Sequence, residues 1–254
     1  MVMSAPYDKY EPLHPPHMKD RPPNETDNRN NLRLKEFMTR EITLETEEEM
    51  ERRRGILLEL KKIFVQWVKS VAMDVRKMSE EEAGDVGGKL LISGSHRLNV
   101  REPGADIDTI CVAPEFCTRE NFFTSLKQRL LNHPDIKELV AVETARVPMI
   151  GMEFRGVNID LLFARLASDT VPDKEDEFYD DKILRNLDET SVITLNGPRA
   201  TQLIAELIKK NFENKTFHDL LRCVRLWAKR RGLYGNMFGY LGRTTTLKRI
   251  SCRS

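Results

Sequence analysis

The sequence predicts a mixed α/β domain followed by a mainly helical segment, and three observations support that fold class. A helical stretch separates the second from the third of four short apolar runs of β type: residues 89–93, 107–113, 144–152 and 157–164. An amphipathic pattern with three- and four-residue steps precedes these runs, and a second helical pattern begins at Ser191. Strands with an intervening helix favour one mixed sheet flanked by helices.

The composition is that of a folded chain without a large net charge. The 254 residues include 41 Lys and Arg against 40 Asp and Glu, a formal net charge of +1, so no global field draws the molecule to nucleic acid or membrane. No apolar run approaches the ~20 residues that span a bilayer, and we expect neither a secretory signal nor a membrane partner. The four cysteines lack C-x-x-C spacing, which argues against a zinc site or disulfide framework and indicates a reducing compartment.

Three segments are predicted along the chain. Residues 1–40 are expected to form a mobile arm, because their first 33 residues hold six of the twelve prolines and too few aliphatic side chains to offset the entropy of ordering. Residues 41–188 hold the sheet and its preceding helix, and residues 189–254 form the helical segment. The acidic cluster between Asp173 and Asp181 is interpreted as a solvated linker near that boundary.

The first helix of the sheet domain has a clear start and a clear apolar face. Thr46 and Glu49 have the spacing of a capping box, and an apolar stripe continues from Leu57 to Val71. The cations of this helix are assigned to its solvated face, including three successive arginines: Arg52, Arg53 and Arg54.

Three acidic side chains lie where two predicted strands could bring them together. Asp106 and Asp108 point to the same face of one strand, where two carboxylates repel each other unless a cation lies between them. Asp160 lies inside an apolar strand, where an unpaired carboxylate is costly. If the strands are neighbours, the three could hold two Mg²⁺ ions about 3.5–4 Å apart. An isolated Asp-x-Asp is more often a pair of acids facing water.

Two further segments could bind phosphate. The turn Ser93-Gly94-Ser95 ends the first strand, and a glycine there lets backbone N–H groups and hydroxyls approach phosphate oxygens, although such a pair is more often a plain turn. The helix near residue 225 is basic and aromatic, and three of its cations lie on one face: Arg222, Arg225 and Lys229.

The residues around that helix have simpler interpretations as well. Tyr234 and Asn236 follow it, where a hydroxyl and an amide could contact a nucleotide, while Trp227 is assigned to the core. From Leu220 onward the chain has nine Lys and Arg and no Asp or Glu, which suggests a phosphate-rich partner but also fits a basic helix with a frayed end.

These motifs and their order resemble the DNA polymerase β-type nucleotidyltransferase superfamily and, within it, the eukaryotic nuclear poly(A) polymerases. The resemblance covers roughly Glu41 to Gly242. The residues that carry it are Val86-Gly87-Gly88-Lys89, Gly94-Ser95-His96-Arg97-Leu98, Gly104-Ala105-Asp106-Ile107-Asp108, Cys111-Val112-Ala113-Pro114, Ile159-Asp160-Leu161-Leu162-Phe163-Ala164-Arg165-Leu166, Leu195-Asn196-Gly197 and Leu226-Trp227-Ala228-Lys229-Arg230.

The resemblance implies a fold, an activity and a set of site residues. It implies a polymerase β-like mixed sheet followed by an incomplete helical central domain, and template-independent transfer of adenylate from ATP to an RNA 3′ end in the nucleus, as in mRNA polyadenylation. Mg²⁺ or Mn²⁺ would be the cofactor, and 3′-end processing factors would be partners. Catalysis and metal binding are implied for Asp106, Asp108 and Asp160, with Asp160 also assisting deprotonation of the RNA 3′-hydroxyl. The remaining nucleotide contacts implied are Ser93, Gly94, Ser95, Ile107, Arg225, Tyr234 and Asn236.

The chain departs from the family pattern at several positions. Arg225 stands where the family usually has Lys, and Ser93 and His96 stand where it has aromatic residues. After Gly242 the sequence no longer follows the family, and a truncated central domain is expected. Two other hypotheses therefore stay open: a catalytically silent fragment or decoy, and another terminal nucleotidyltransferase such as a uridylyl- or CCA-adding enzyme.

Overall fold

A computed structural model of the protein describes residues 22–98, 103–211 and 214–235. Eight α-helices are described: α1 (Glu25–Glu41), α2 (Glu47–Arg76), α3 (Glu80–Asp85), α4 (Gly94–Arg97), α5 (Arg119–Asn121), α6 (Lys127–Leu131), α7 (Glu189–Asn211) and α8 (Asn214–Arg230). A π-helical turn, Phe122–Leu126, joins α5 to α6, and two 3₁₀ turns, Glu175–Tyr179 and Asp181–Leu184, precede α7. The strands are β1 (Lys89–Ile92), β2 (Ile107–Ala113), β3 (Ile136–Val142), β4 (Met149–Phe154) and β5 (Val157–Arg165).

The strands form one mixed sheet in the order β1-β2-β5-β4-β3. β2 and β5 are parallel, and the other neighbouring pairs are antiparallel. The predicted mixed α/β class is therefore confirmed, but the predicted strand list is wrong in two places. β4 begins at Met149 rather than at Thr144, and β3 was not predicted, because this edge strand carries Lys137 and Glu138 at a bulge where Glu138 has a φ of 50°.

One face of the sheet packs against α2 and the α5–α6 segment through aromatic side chains. The ring of Phe163 on β5 stacks on Phe122 at 4.9 Å and meets Trp67 of α2 edge-on at 6.3 Å. The indole N–H of Trp67 donates to Ser125 Oγ at 2.8 Å, so this buried ring also satisfies its polar atom. The opposite face carries a second cluster in which Leu91 and Ile110 pack with Phe178 and Leu195.

One residue of α2 contradicts the predicted solvated face. Arg53 is only 4% exposed and forms an ion pair with Glu45, whereas Arg52 and Arg54 are exposed. The assignment of Arg53 to solvent was wrong because it considered charge alone. Arg53 lies four residues before Leu57 and thus extends the apolar stripe by one turn.

The acidic cluster before α7 is not a plain solvated linker. Phe178, inside the first 3₁₀ turn, is fully buried in the second cluster, and Glu175 forms an ion pair with Arg97 at 2.7 Å. Five acids of the cluster are exposed, as a solvated segment predicts: Asp173, Asp176, Glu177, Asp180 and Asp181. The prediction overlooked Phe178, a large apolar side chain that is enough to anchor a short turn.

Two compact units divide the chain. The first comprises residues 1–43 and 204–254, and the second comprises residues 44–203. α7 therefore has residues in both units, and the domain boundaries expected after residues 40 and 188 stay a prediction. No helix among the described ranges is long and apolar enough to cross a membrane.

Part of the predicted arm is helical. Asn24 and Asp27 form a reciprocal capping box at the start of α1, which the proline-rich composition of the preceding residues concealed. Near the other end of α1, Arg230 of α8 lies over the ring of Phe37 at 5.3 Å and pairs with Glu41. Residues 1–21 of the predicted arm lie outside the described residues.

Candidate active site

A single row of residues crosses the sheet where the sequence places its acidic motif. Asp108 on β2 is paired with Asp160 on β5, and Asp160 is paired with Gly151 on β4. At the other end of the row, the backbone N–H of Ser93 donates to the carbonyl oxygen of Asp108 at 3.1 Å. The hypothesis required Asp108 and Asp160 to lie on neighbouring strands, and they are directly opposed.

The two carboxylates share a face of the sheet that is open beside them. Paired residues on neighbouring strands point to the same side, and two glycines flank the pair. A Cβ at Gly94 would lie 2.8 Å from Oδ2 of Asp108, and a Cβ at Gly151 would lie 3.5 Å from Oδ1 of Asp160. The glycines therefore preserve space around the acids that any other residue would fill.

Asp106 precedes β2 by one residue and is half-buried. By strand alternation its side chain belongs to the face of Asp108. Among the residues that the structure describes, however, no three His, Cys, Asp or Glu side chains are grouped so that they could hold a metal ion. A metal site formed by all three aspartates accordingly stays a prediction.

Hydrogen bonding fixes the register of the two acidic strands. Thr109, fully buried beside Asp108, donates its hydroxyl hydrogen to the carbonyl oxygen of Asp160 at 3.0 Å. A one-residue slip of β2 against β5 would break this bond and move one carboxylate to the opposite face. Thr109 thus keeps the two acids opposed.

The glycine turn is held by α7. Gly94 has a φ of 67° and donates its N–H to Thr201 Oγ1 at 3.2 Å, and that hydroxyl in turn donates to the carbonyl oxygen of Gly197 at 2.8 Å. Gly197 lies close to the turn, since a Cβ there would be in van der Waals contact with Ser93 Oγ at 3.8 Å. Sequence reasoning missed Thr201, and an isolated threonine on a helix carries no signal that could have found it.

Arg97 anchors the far end of the same turn. Its guanidinium donates to Gln202 Oε1 at 2.8 Å and lies over the Tyr179 ring at 5.6 Å. The Tyr179 hydroxyl donates to Glu175, which also pairs with Arg97. Burial raises the pKa of Tyr179, and its bond to Glu175 raises that pKa further while Arg97 opposes both. The side chains of Ser95 and His96 lie outside the described residues.

The predicted nucleotide contacts near α8 belong to the first unit, where Arg225 is 6% exposed and lies over the Tyr234 ring at 5.9 Å. Lys229 lies 5.8 Å from the same ring. Tyr234 is partly buried, and its buried hydroxyl has no hydrogen-bond partner among the described residues, which is uncommon for a buried polar atom. Asn236, the remaining predicted contact, lies outside those residues.

Trp227 does not belong to the core as predicted. It is 51% exposed, whereas Phe217, Leu221 and Ala228 on the same helix are buried. The buried positions recur at four- and seven-residue steps, which directs Trp227 away from them. The prediction was wrong because it followed the size of the side chain rather than the helical period.

Comparison with known proteins decides the family. Residues 16–208 match the model of the poly(A) polymerase nucleotidyltransferase domain, and residues 216–246 match that of the poly(A) polymerase central domain.

The chain belongs to the poly(A) polymerase family.

Its similar relatives include nuclear poly(A) polymerase 1 of Arabidopsis thaliana, 42% identical over 199 residues that cover 78% of this chain and 27% of the relative. The poly(A) polymerase of Dictyostelium discoideum is 39% identical over 221 residues, covering 87% and 27%. Poly(A) polymerase pla1 of Schizosaccharomyces pombe is 37% identical over 227 residues, covering 89% and 39%. The chain thus spans well under half the length of these relatives.

Solved structures share the fold at low sequence identity. A structure of Cid1, described as having RNA terminal uridylyl transferase activity, is 14% identical with a TM-score of 0.56, over 87% of this chain and 51% of Cid1. Another Cid1 structure, with Mg and 3′-dATP bound, is 14% identical with the same TM-score, over 86% and 53%. The likeness agrees with the polymerase β-type fold expected from the motifs.

Proposed function

We propose that this chain carries the catalytic domain of a polynucleotide adenylyltransferase, which transfers adenylate from ATP to an RNA 3′ end without a template. The observation that carries the proposal is the pairing of Asp108 with Asp160 beside the Gly94 turn. Relatives that are 37% to 42% identical and are named poly(A) polymerases support adenylate over uridylate or CCA addition.

The acidic row suits a hard divalent cation. Carboxylate oxygens are the ligands that Mg²⁺ prefers, and the flanking glycines leave room beside Asp108 and Asp160. Asp106, Asp108 and Asp160 would hold Mg²⁺, or Mn²⁺ in its place. When bound, the cation would supply positive charge to the triphosphate and to the attacking oxygen. By the family resemblance, Asp160 would also assist deprotonation of the RNA 3′-hydroxyl.

The chain's other residues would bind and orient the nucleotide. The turn Ser93-Gly94-Ser95 would meet phosphate oxygens with backbone N–H groups and hydroxyls. Ile107 of β2 would contribute through its backbone, since its side chain is fully buried in the core. Arg225 and Asn236 are assigned to the nucleotide as well. Tyr234 is assigned with them, and its buried hydroxyl without a described partner is suited to a ligand.

Cellular context follows from the relatives alone. One relative is named a nuclear poly(A) polymerase, and we propose a nuclear location on that basis. The RNA 3′ end is the proposed acceptor, and 3′-end processing factors are the proposed protein partners.

Primer extension tests the proposal directly. The 254-residue protein is incubated with an oligo(A) primer, Mg²⁺ and each ribonucleoside triphosphate in turn, and ATP is expected to be incorporated preferentially. Asp108→Ala is expected to lower the rate at least about 100-fold, because it removes a proposed metal ligand itself, and even the loss of a residue that only supports a metal ligand typically costs about 10- to 100-fold. Asp85→Ala, which alters an exposed aspartate at the end of α3, is the matched control and should leave the rate unchanged.

Three outcomes would contradict the proposal. Full activity of Asp108→Ala would remove the metal site. Preferential use of UTP would identify a uridylyltransferase instead. Absence of incorporation by the wild-type protein would favour the catalytically silent form.

A further inference from the structure

A buried ion pair contacts the peptide unit directly before Asp106. Arg53 of α2 lies with its Nε 2.5 Å from Glu45 Oε1, and its Nη1 donates to the carbonyl oxygen of Ala105 at 2.7 Å. The side chains of Arg53 and Glu45 are 5% and 4% exposed. All of these residues belong to the second unit, which also holds the sheet.

We propose that Arg53 is a positioning residue that sets the direction of the Asp106 carboxylate. The carbonyl group of Ala105 and the amide of Asp106 share one planar peptide unit. A hydrogen bond that fixes the carbonyl therefore also fixes the orientation of the Asp106 amide. On the other side of Asp106, β2 begins at Ile107, which is paired with Ile159 of β5. Asp106 is therefore held from both sides.

Core packing alone does not explain an arginine at this position. Position 53 continues the apolar stripe of α2, where a leucine would fill the space without the desolvation of a charge. Glu45 neutralises the buried cation, and the bond to Ala105 is charge-assisted and therefore stronger than a neutral one. The ion pair thus places a strong, rigid donor beside the acidic motif.

The geometry of the contact requires a guanidinium. Arg53 donates through Nη1 to Ala105, and the Nε edge of the same rigid plane lies against Glu45 as an ion pair rather than as a hydrogen bond. An ammonium group is a compact charge on a flexible stem and does not reproduce this fork. Lysine would keep the charge but lose the fixed orientation of the peptide.

The inference rests on the proposed metal-dependent function, and the test separates the two. Mn²⁺ binding to the 254-residue protein is measured by electron paramagnetic resonance, well below the unfolding temperature of each variant. Arg53→Lys is expected to raise the Mn²⁺ dissociation constant about tenfold or more, as substitutions of residues that orient metal ligands commonly do. Arg52→Lys, an identical change at the exposed neighbouring position, should bind as the wild type does.

Asp108→Ala serves as the reference variant in this experiment. If Asp108→Ala binds Mn²⁺ as tightly as the wild type, the proposed metal site is wrong and the inference falls with it. If Asp108→Ala weakens binding while Arg53→Lys does not, the proposed function stands and the positioning role of Arg53 is overturned.

Hydrogen exchange tests whether Arg53→Lys acts locally at Asp106 or destabilises the whole fold. In Arg53→Lys, amide exchange is expected to accelerate in peptides that contain Ala105 and Asp106, with little change in peptides from α8 or from β4. Equal acceleration throughout the second unit would show that Arg53 supports the fold in general, and would overturn a specific role at Asp106.

Discussion

At Gly94 the backbone conformation and the surroundings both exclude a side chain. Its φ of 67° disfavours any residue with a Cβ, and that Cβ would lie 2.8 Å from Asp108 Oδ2. Gly94→Ala should therefore displace the carboxylate as well as strain the turn. We expect a loss of about 1 kcal/mol in unfolding free energy and a fall in primer extension of at least about tenfold, measured by urea titration and initial rates.

Gly156 provides the control for that substitution. Its φ of 75° is similar, but a Cβ there would have no neighbour within 4 Å. Gly156→Ala should lower stability by a comparable amount, about 1 kcal/mol, and leave the rate per folded molecule unchanged. Equal losses of rate in both variants would contradict the steric argument at Gly94.

Individual residues differ in how well the sequence reveals them. Asp108 and Asp160 were identifiable because a carboxylate in an apolar strand is costly unless it is paired or bound to a metal, and strand alternation predicts which face each side chain occupies. Arg53 was identifiable in principle, since the period of α2 places it on the buried stripe, but its charge argued the other way. Thr201 was not identifiable, because its bond to Gly94 joins residues 107 positions apart.

Among the elements, the start of α7 is stabilised by Asp188, and Ser191 next to it hydrogen-bonds to the sheet. Asp188 accepts the N–H and hydroxyl of Ser191 at 3.0 and 2.7 Å, and it pairs with Arg119 at 3.1 Å. Ser191 Oγ in turn accepts the N–H of Arg165 at the end of β5 at 3.0 Å. Asp188 therefore orders the helix start that leads toward Gly197 and Thr201.

The stability contributed by Asp188 should depend on pH. Burial alone would raise the pKa of Asp188, but hydrogen bonds from Ser191 and the pairing with Arg119 outweigh it, so the pKa lies below its ordinary value of 3.8. A carboxyl group with a lowered pKa stabilises the fold above its unfolded pKa, and this contribution is lost as the pH falls through the folded pKa.

Asp188→Asn tests this dependence while keeping a side chain that can cap a helix. We expect the variant to be less stable by about 0.5–1 kcal/mol at pH 7, where the charge interacts with the helix terminus and Arg119. The difference should shrink below pH 3.8 and vanish as the wild-type group becomes protonated. Urea titrations of both proteins between pH 7 and pH 3 measure it, and a constant difference would contradict the assignment.

Strands and helices were predictable where a period was clean. α2 and β2 follow their patterns closely, and the capping box of Thr46 marks the start of α2. The capping box of Asn24 at the start of α1 was overlooked, because the preceding prolines favoured an arm without structure. β3 was missed because the bulge between Lys137 and Val140 breaks the alternation of its side chains. The alternation of strands and a helix favoured a mixed sheet, but no local pattern specified its strand order.

At the scale of the whole molecule, the two units differ in the size of their described cores. Five buried apolar residues belong to the described part of the first unit: Ile204, Ile208, Phe217, Leu221 and Ala228. The second unit holds the two clusters that cover both faces of the sheet. Because unfolding free energy increases with apolar burial, we expect the first unit to unfold at lower denaturant concentration than the second.

The two tryptophans of the chain report on the two units separately. Trp67, fully buried and hydrogen-bonded to Ser125, belongs to the second unit, and Trp227, 51% exposed, belongs to the first. Acrylamide should quench the wild-type protein more strongly than Trp227→Phe, whose remaining indole is shielded. In urea, the fluorescence of the wild type should show an early transition, reported by Trp227, and a later one, reported by Trp67. Trp227→Phe should lack the early transition and keep the later one. A single transition with the same midpoint in both proteins would show that the units unfold together, and the difference in core size would then not govern unfolding.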